Sequence, residues 1–149
     1  MMKSKRFEPI REIASSSADD LSRAMAEAAR KVADIERQIQ QLQTYRDDYV
    51  RKSGQGAAAV DAVKLQNYRS FLDRLGDALR QQMKSLELAR VEYEKRRLAW
   101  SAKRIEAESL GRAVERFRKE EQHAADRREQ REVDDAALRV SLAARSELG

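Results

Sequence analysis

The chain has 149 residues, of which 38% are charged and 5% aromatic, and its 31 basic and 26 acidic side chains give a net charge of +5. This length predicts one domain, and the composition is typical of long helices rather than of a thick globular core. The absence of cysteine excludes a disulfide framework and a thiolate metal site. No stretch approaches the roughly 20 apolar residues of a membrane span. No secretory signal follows the basic start, so we expect a cytoplasmic protein.

The N-terminal third of the chain carries one apolar stripe at heptad spacing. Alternating steps of four and three residues from Phe7 meet apolar side chains as far as Tyr49, with Arg11 and Arg46 as the exceptions. Such a stripe keeps one face of a helix against a partner helix, as in a coiled coil. A pattern sustained this long argues against disorder, which is the other interpretation of so polar a composition.

The stripe stops at Lys52-Ser53-Gly54-Gln55-Gly56, a segment typical of a turn. A second stripe with the same spacing then runs from Leu65 to Phe117. We therefore predict an all-α fold, an antiparallel coiled-coil hairpin of two long helices in which the second helix is longer. Helix one should span about residues 5–52, the turn 53–57 and helix two about 58–145. We expect helix one to be continuous from about Pro9, which is tolerated in a first turn.

The unequal helix lengths predict an overhang. With the turn centred near Gly54, Tyr49 would face the Leu65 region, and Phe7 would face roughly residues 104–107. The apolar residues of helix two beyond that point, which would then lack a partner within the chain, are Leu110, Val114 and Phe117. An unpaired apolar stripe is a binding surface for a partner or a seam between copies. Two alternatives remain, a start of helix one that folds over these residues and an overhang that is simply mobile.

No catalytic or cofactor site is predicted. His123 is the single histidine and lies in a highly charged stretch, so it cannot form a histidine-rich metal site. There is no serine nucleophile with a base to activate it and no phosphate-binding loop. The basic clusters between Lys95 and Arg128 are interrupted by glutamates, which would cancel most of the attraction to phosphate. We therefore expect a protein that is not an enzyme and does not bind nucleic acid.

Two aromatic side chains lie beside the stripes rather than on them. In heptad notation Tyr45 and Phe71 both fall at position g, and the hairpin brings them to the same height on one flank. Aromatic residues clustered outside a core are typical of a docking surface. The alternative is that they only broaden the seam. The predicted partner-binding patch consists of Gln38, Leu42, Tyr45, Tyr49, Phe71, Leu75, Ala78 and Gln82.

These residues also carry a family resemblance. The patterns Leu42-x-x-Tyr45-x-x-x-Tyr49 and Asn67-Tyr68-x-x-Phe71-Leu72-x-x-Leu75-x-x-Ala78-Leu79-x-x-Gln82 resemble the FliJ family, small coiled-coil proteins of bacterial flagellar export. The closing segment Glu129-Gln130-Arg131-Glu132-Val133-Asp134-Asp135-Ala136-Ala137 is similar to the basic-then-acidic end of that family. The resemblance covers essentially the whole chain.

The resemblance implies a coiled coil similar to the central stalk of rotary ATPases. Its open end, made by the start of helix one and the end of helix two, would enter the hexameric ring of the export ATPase FliI. The eight-residue patch would bind the export gate protein FlhA, and the family is also credited with recycling export chaperones. These partners would place the protein in the cytoplasm, peripherally at the inner face of the cell membrane. No cofactor is expected.

Two other functions stay open from the sequence. One is the equivalent stalk protein of a virulence-type secretion system. The other, more remote, is a basic helical nucleic-acid binder, which would lose affinity for duplex DNA steeply as salt is added.

Overall fold

The computed structural model describes residues 2–55 and 62–148 and shows two α-helices, α1 (Lys3–Gln55) and α2 (Ala62–Leu148). The all-α prediction and the longer second helix are confirmed. Within these residues no helix combines the length and the apolar character that a membrane crossing requires. The chain divides into two compact units, Asp19–Ala102 and the pair Met1–Ala18 with Lys103–Gly149.

Helix α1 runs through two places where a break was considered. It continues through Ser15–Ser17 as predicted, and it begins at Lys3, so Pro9 lies in the second turn and not in the first. The predicted turn at 53–57 starts too early, because α1 includes Ser53, Gly54 and Gln55. A glycine costs about 1 kcal/mol relative to alanine in a helix interior, which does not stop a helix of this length. The remainder of the predicted turn lies outside the described residues.

In the unit Asp19–Ala102 the two helices pair in antiparallel fashion. Ile35 and Ile39 of α1 form a buried cluster with Leu79 and Ala89 of α2, and Val32, Leu42 and Leu86 pack against it. Two polar contacts agree with this antiparallel pairing. Arg90 pairs with Glu36 at 3.2 Å, and the Arg96 guanidinium donates to the carbonyl oxygen of Ala24 at 3.1 Å. Arg96 lies on the heptad stripe of α2, and this hydrogen bond gives its guanidinium a partner between the helices.

In the other unit the start of α1 lies antiparallel to a more distal part of α2. Ala14 and Ala18 of α1 are buried, and Val114 of α2 is fully buried at 0% exposure. Arg11 interrupts the apolar stripe of α1, and a Cβ added at Gly111 would lie 3.7 Å from its Nε atom. A methyl group at position 111 would therefore make only an ordinary van der Waals contact with Arg11.

Candidate partner-binding surfaces

The predicted flank patch of the unit Asp19–Ala102 contains an aromatic cluster. The rings of Tyr45 and Phe71 meet edge to face with centroids 5.8 Å apart, which confirms that they share one height. Phe71 also contacts Tyr49 at 4.3 Å. Tyr49 stacks on Tyr68 at 5.5 Å, one stripe position beyond Leu65. Ring contacts of this kind contribute about 0.5–1.5 kcal/mol each beyond burial.

The members of the patch differ in how much of their surface is accessible. Tyr45 is 56% exposed, and Gln38 is exposed as well. Leu75 is buried at 8% and serves the seam, while the rest are half-buried, namely Leu42, Tyr49, Phe71, Ala78 and Gln82. Tyr45 is therefore accessible to solvent, and Phe71 contacts its ring.

Sequence reasoning missed two features beside this patch. Tyr68 belongs to the aromatic cluster, and its spacing of three residues from Phe71 could have revealed it because residues three and four apart share a helix face. A shallow depression of about 450 Å³ on α1 has Tyr45 in its lining. Its polar lining consists of Arg37, Gln40, Gln41, Thr44 and Asp48. Tyr45 is the one aromatic side chain in this lining, and tyrosine is enriched at protein interfaces.

The second predicted surface, Leu110, Val114 and Phe117, is not an unpaired stripe. The rings of Phe117 and Phe7 lie 5.3 Å apart, Val114 is fully buried and Leu110 is half-buried. The prediction that these residues lack a partner within the chain is wrong. Phe7 meets Phe117 instead of residues 104–107, so the start of α1 lies against a later part of α2 than predicted. A binding role for the three residues stays a prediction, without the stripe on which it rested.

The first turn of α1 is held by a carboxylate of α2. Glu121 accepts hydrogen bonds from the Ser4 backbone N–H at 3.1 Å and from the Ser4 hydroxyl at 2.6 Å. The first amides of a helix have no partner inside the helix, and negative charge is favourable there. The Ser4 hydroxyl first, then the Ser4 amide, together with the charges of Arg118 and Lys5, hold the pKa of Glu121 below its usual range. Arg118 also pairs with Glu8 at 3.0 Å.

Beyond Glu121, helix α2 continues to Leu148. Ala124 is half-buried, and every side chain from Ala125 to Leu148 is exposed. An overhang therefore exists, but it starts after the three residues for which it was predicted. His123 is exposed, and the described residues contain no group of three or more histidine, aspartate or glutamate side chains that could hold a metal ion.

The comparison with protein families decides the classification. The family model described as "Flagellar FliJ protein" matches residues 2–146. The chain belongs to the FliJ family. This FliJ-family chain is therefore a coiled-coil protein related to flagellar export, as the aromatic and heptad patterns predicted. No curated protein and no solved structure matches it significantly.

Proposed function

We propose that this FliJ-family chain is a non-enzymatic component of the flagellar type III export apparatus that binds both the export ATPase FliI and the export gate protein FlhA. It would act as a stalk-like bridge between the ATPase ring and the gate, and would also take part in recycling export chaperones. It would work in the cytoplasm, at the inner face of the cell membrane through these partners. Membership of the FliJ family supports a role in flagellar export. The patch around Tyr45 and the open end are separate surfaces, which supports binding to two partners.

The gate contact is assigned to the patch around Tyr45. A half-exposed tyrosine that contacts a phenylalanine edge to face and has polar neighbours is the kind of residue on which binding energy concentrates. A tyrosine side chain has only two torsion angles to immobilise on binding, and Phe71 contacts this ring. This braced, exposed ring is the single observation that carries the proposal.

The ATPase contact is assigned to the open end, where the first turn of α1 meets α2 and the overhang begins. Its surface is charged in both signs, with the Arg118–Glu8 pair and exposed Arg127 and Arg128. Exposed charge pairs of this type contribute little to stability, so they are free to exchange for contacts with another protein. Mixed charges favour reversible association and orientation over tight binding.

The test of the gate contact is Tyr45→Ala, with Leu98→Ala as the matched control. Leu98 is 55% exposed and lies outside the patch, so both substitutions remove a similarly exposed apolar side chain. Titration calorimetry with the linker and cytoplasmic domain of FlhA should show about 30-fold weaker binding for Tyr45→Ala, corresponding to about 2 kcal/mol for an anchor residue. The control should bind FlhA as the wild type does.

Binding to FliI provides the second readout of the same variants. Tyr45→Ala should retain wild-type affinity for FliI, because Tyr45 is not part of the open end. Wild-type FlhA affinity in the Tyr45→Ala variant would refute the patch assignment. A wild-type chain that does not bind FliI would refute the bridging function.

A further inference from the structure

The first turns of α1 have an inner face toward α2 and an outer face toward solvent. Ser4, Ala14 and Ala18 are buried, and the ring of Phe7 meets that of Phe117, so these positions mark the inner face. At about 3.6 residues per turn, the residues on the other side of the helix form one continuous outer face. This outer face, named here the amphipathic face, consists of Met2, Lys5, Arg6, Pro9, Ile10 and Ile13.

The amphipathic face exposes several apolar side chains close together. Ile13 is 70% exposed, Met2 51% and Ile10 48%, and Pro9 is exposed beside them. At 1.5 Å of rise per residue they lie within about 17 Å of helix. Single exposed apolar residues are normal, whereas a group on one helix face marks an interaction site.

The polar side chains of the amphipathic face are basic. Lys5 and Arg6 are exposed, and neither belongs to an ion pair with the residues that the structure describes. Glu8 is the only acidic residue among the first eleven, and it pairs with Arg118 of α2 at 3.0 Å. Glu12 follows at the margin of the face. The centre of the amphipathic face is therefore positively charged.

Basic side chains interleaved with exposed apolar ones match the chemistry of an anionic lipid surface. Methionine and isoleucine side chains can enter the boundary between headgroups and acyl chains. The long stems of lysine and arginine let their charged ends reach the lipid phosphates from the same face, and the negative surface of the bilayer attracts them. A second copy of the chain does not fit this face, because the like charges of Lys5 and Arg6 would be brought together.

We infer that the amphipathic face binds the surface of a membrane containing anionic lipid, with the start of α1 lying in the plane of the interface. The association is weak and reversible, because only three large apolar side chains and two basic ones contribute. The inner face stays packed on α2 in the bound state. In the proposed function the partners hold the chain at the membrane; direct contact with lipid is a separate property and does not depend on them.

Cosedimentation of the whole chain with lipid vesicles tests the inference without any partner protein. The chain should bind vesicles of phosphatidylcholine with about one-third phosphatidylglycerol, should not bind phosphatidylcholine alone, and should be released by salt. Lys5→Ala with Arg6→Ala should weaken binding about 25-fold, from about fivefold for each basic side chain near the surface. The matched control, Arg139→Ala with Arg145→Ala, removes the same charge from exposed positions of α2 and should bind as the wild type does.

The apolar side chains are tested by a second pair of variants. Ile10→Ser with Ile13→Ser should weaken binding severalfold, whereas Val133→Ser with Val140→Ser, at positions 57% and 70% exposed on α2, should not. Circular dichroism should show the same helix content in all variants, because these positions are exposed. In Ile13→Trp, anionic vesicles should shift the emission to the blue by more than in the wild type, whose one tryptophan is Trp100.

Three results would overturn the inference. A wild-type chain that does not bind the anionic vesicles would leave an acidic protein as the partner of the amphipathic face. Equal losses in the Lys5 and Arg6 variant and in its control would mean that adsorption follows net charge alone. Unchanged binding of the Ile10 and Ile13 variant would mean that no apolar side chain of this face enters the lipid.

Discussion

Replacing Val114 by alanine distinguishes the observed pairing of the helices from the pairing expected from the turn motif. Val114 is fully buried in the structure, whereas it should be exposed if the overhang began before it. Losing two buried carbon atoms costs about 1.6 kcal/mol of transfer free energy at about 0.8 kcal/mol per methylene. The unfilled space adds a cavity contribution, for a total of about 2–3 kcal/mol.

The matched control is Val63→Ala, the same substitution at a residue of α2 that is 68% exposed. Alanine is the better helix former by about 0.5 kcal/mol, and this gain is common to both variants. The free energy of unfolding, measured by urea titration with circular dichroism, should therefore be about 2 kcal/mol lower for Val114→Ala than for Val63→Ala. Equal stabilities would mean that Val114 is not buried, and would refute the observed register.

Two further contacts can be tested in the same way. Since the pKa of Glu121 is lowered in the folded protein, its contribution to stability is complete above the unfolded pKa and is lost as the pH falls through the lower folded pKa. Carbon-detected NMR titration should find Glu121 titrating below its usual range and shifting upward in Ser4→Ala; titration in the usual range would disprove the contact. Tyr49→Ala should cost about 2 kcal/mol of unfolding free energy in urea titrations, since Tyr49 contacts both Phe71 and Tyr68. Tyr45→Ala, with only its contact to Phe71, should cost under about 1 kcal/mol, and equal losses would contradict this arrangement.

The helices could be predicted because heptad spacing depends only on which face of a helix is apolar. The same spacing placed Tyr45 beside Phe71, since both flank the stripes close to the turn. The register farther along could not be obtained in this way, because it depends on the residue at which each helix ends. Gly54 is typical of a turn but lies inside α1, so the turn motif does not mark the end of that helix.

One sequence signal for the correct register was nevertheless present. The apolar stripe of α2 ends at Phe117 and is followed by Glu121, where the start of α1 lies. The loss of the stripe therefore marks where the partner helix begins. The bond from Ser4 to Glu121 was not predictable, because it depends on the height at which the two side chains meet. Pairing Phe7 with Phe117 would have given that height.

A seam between only two helices has a consequence for how substitutions act. Each buried side chain, such as Ile35 or Val114, packs between α1 and α2. Its neighbours on both helices therefore lie within a turn or two of it along the helix axis. The energetics then approach a one-dimensional sum of nearest-neighbour terms. Damage at one position should remain local, as fraying or a short loss of pairing, rather than collapse a whole core. Such a chain can change one binding surface in evolution while the pairing elsewhere keeps its stability.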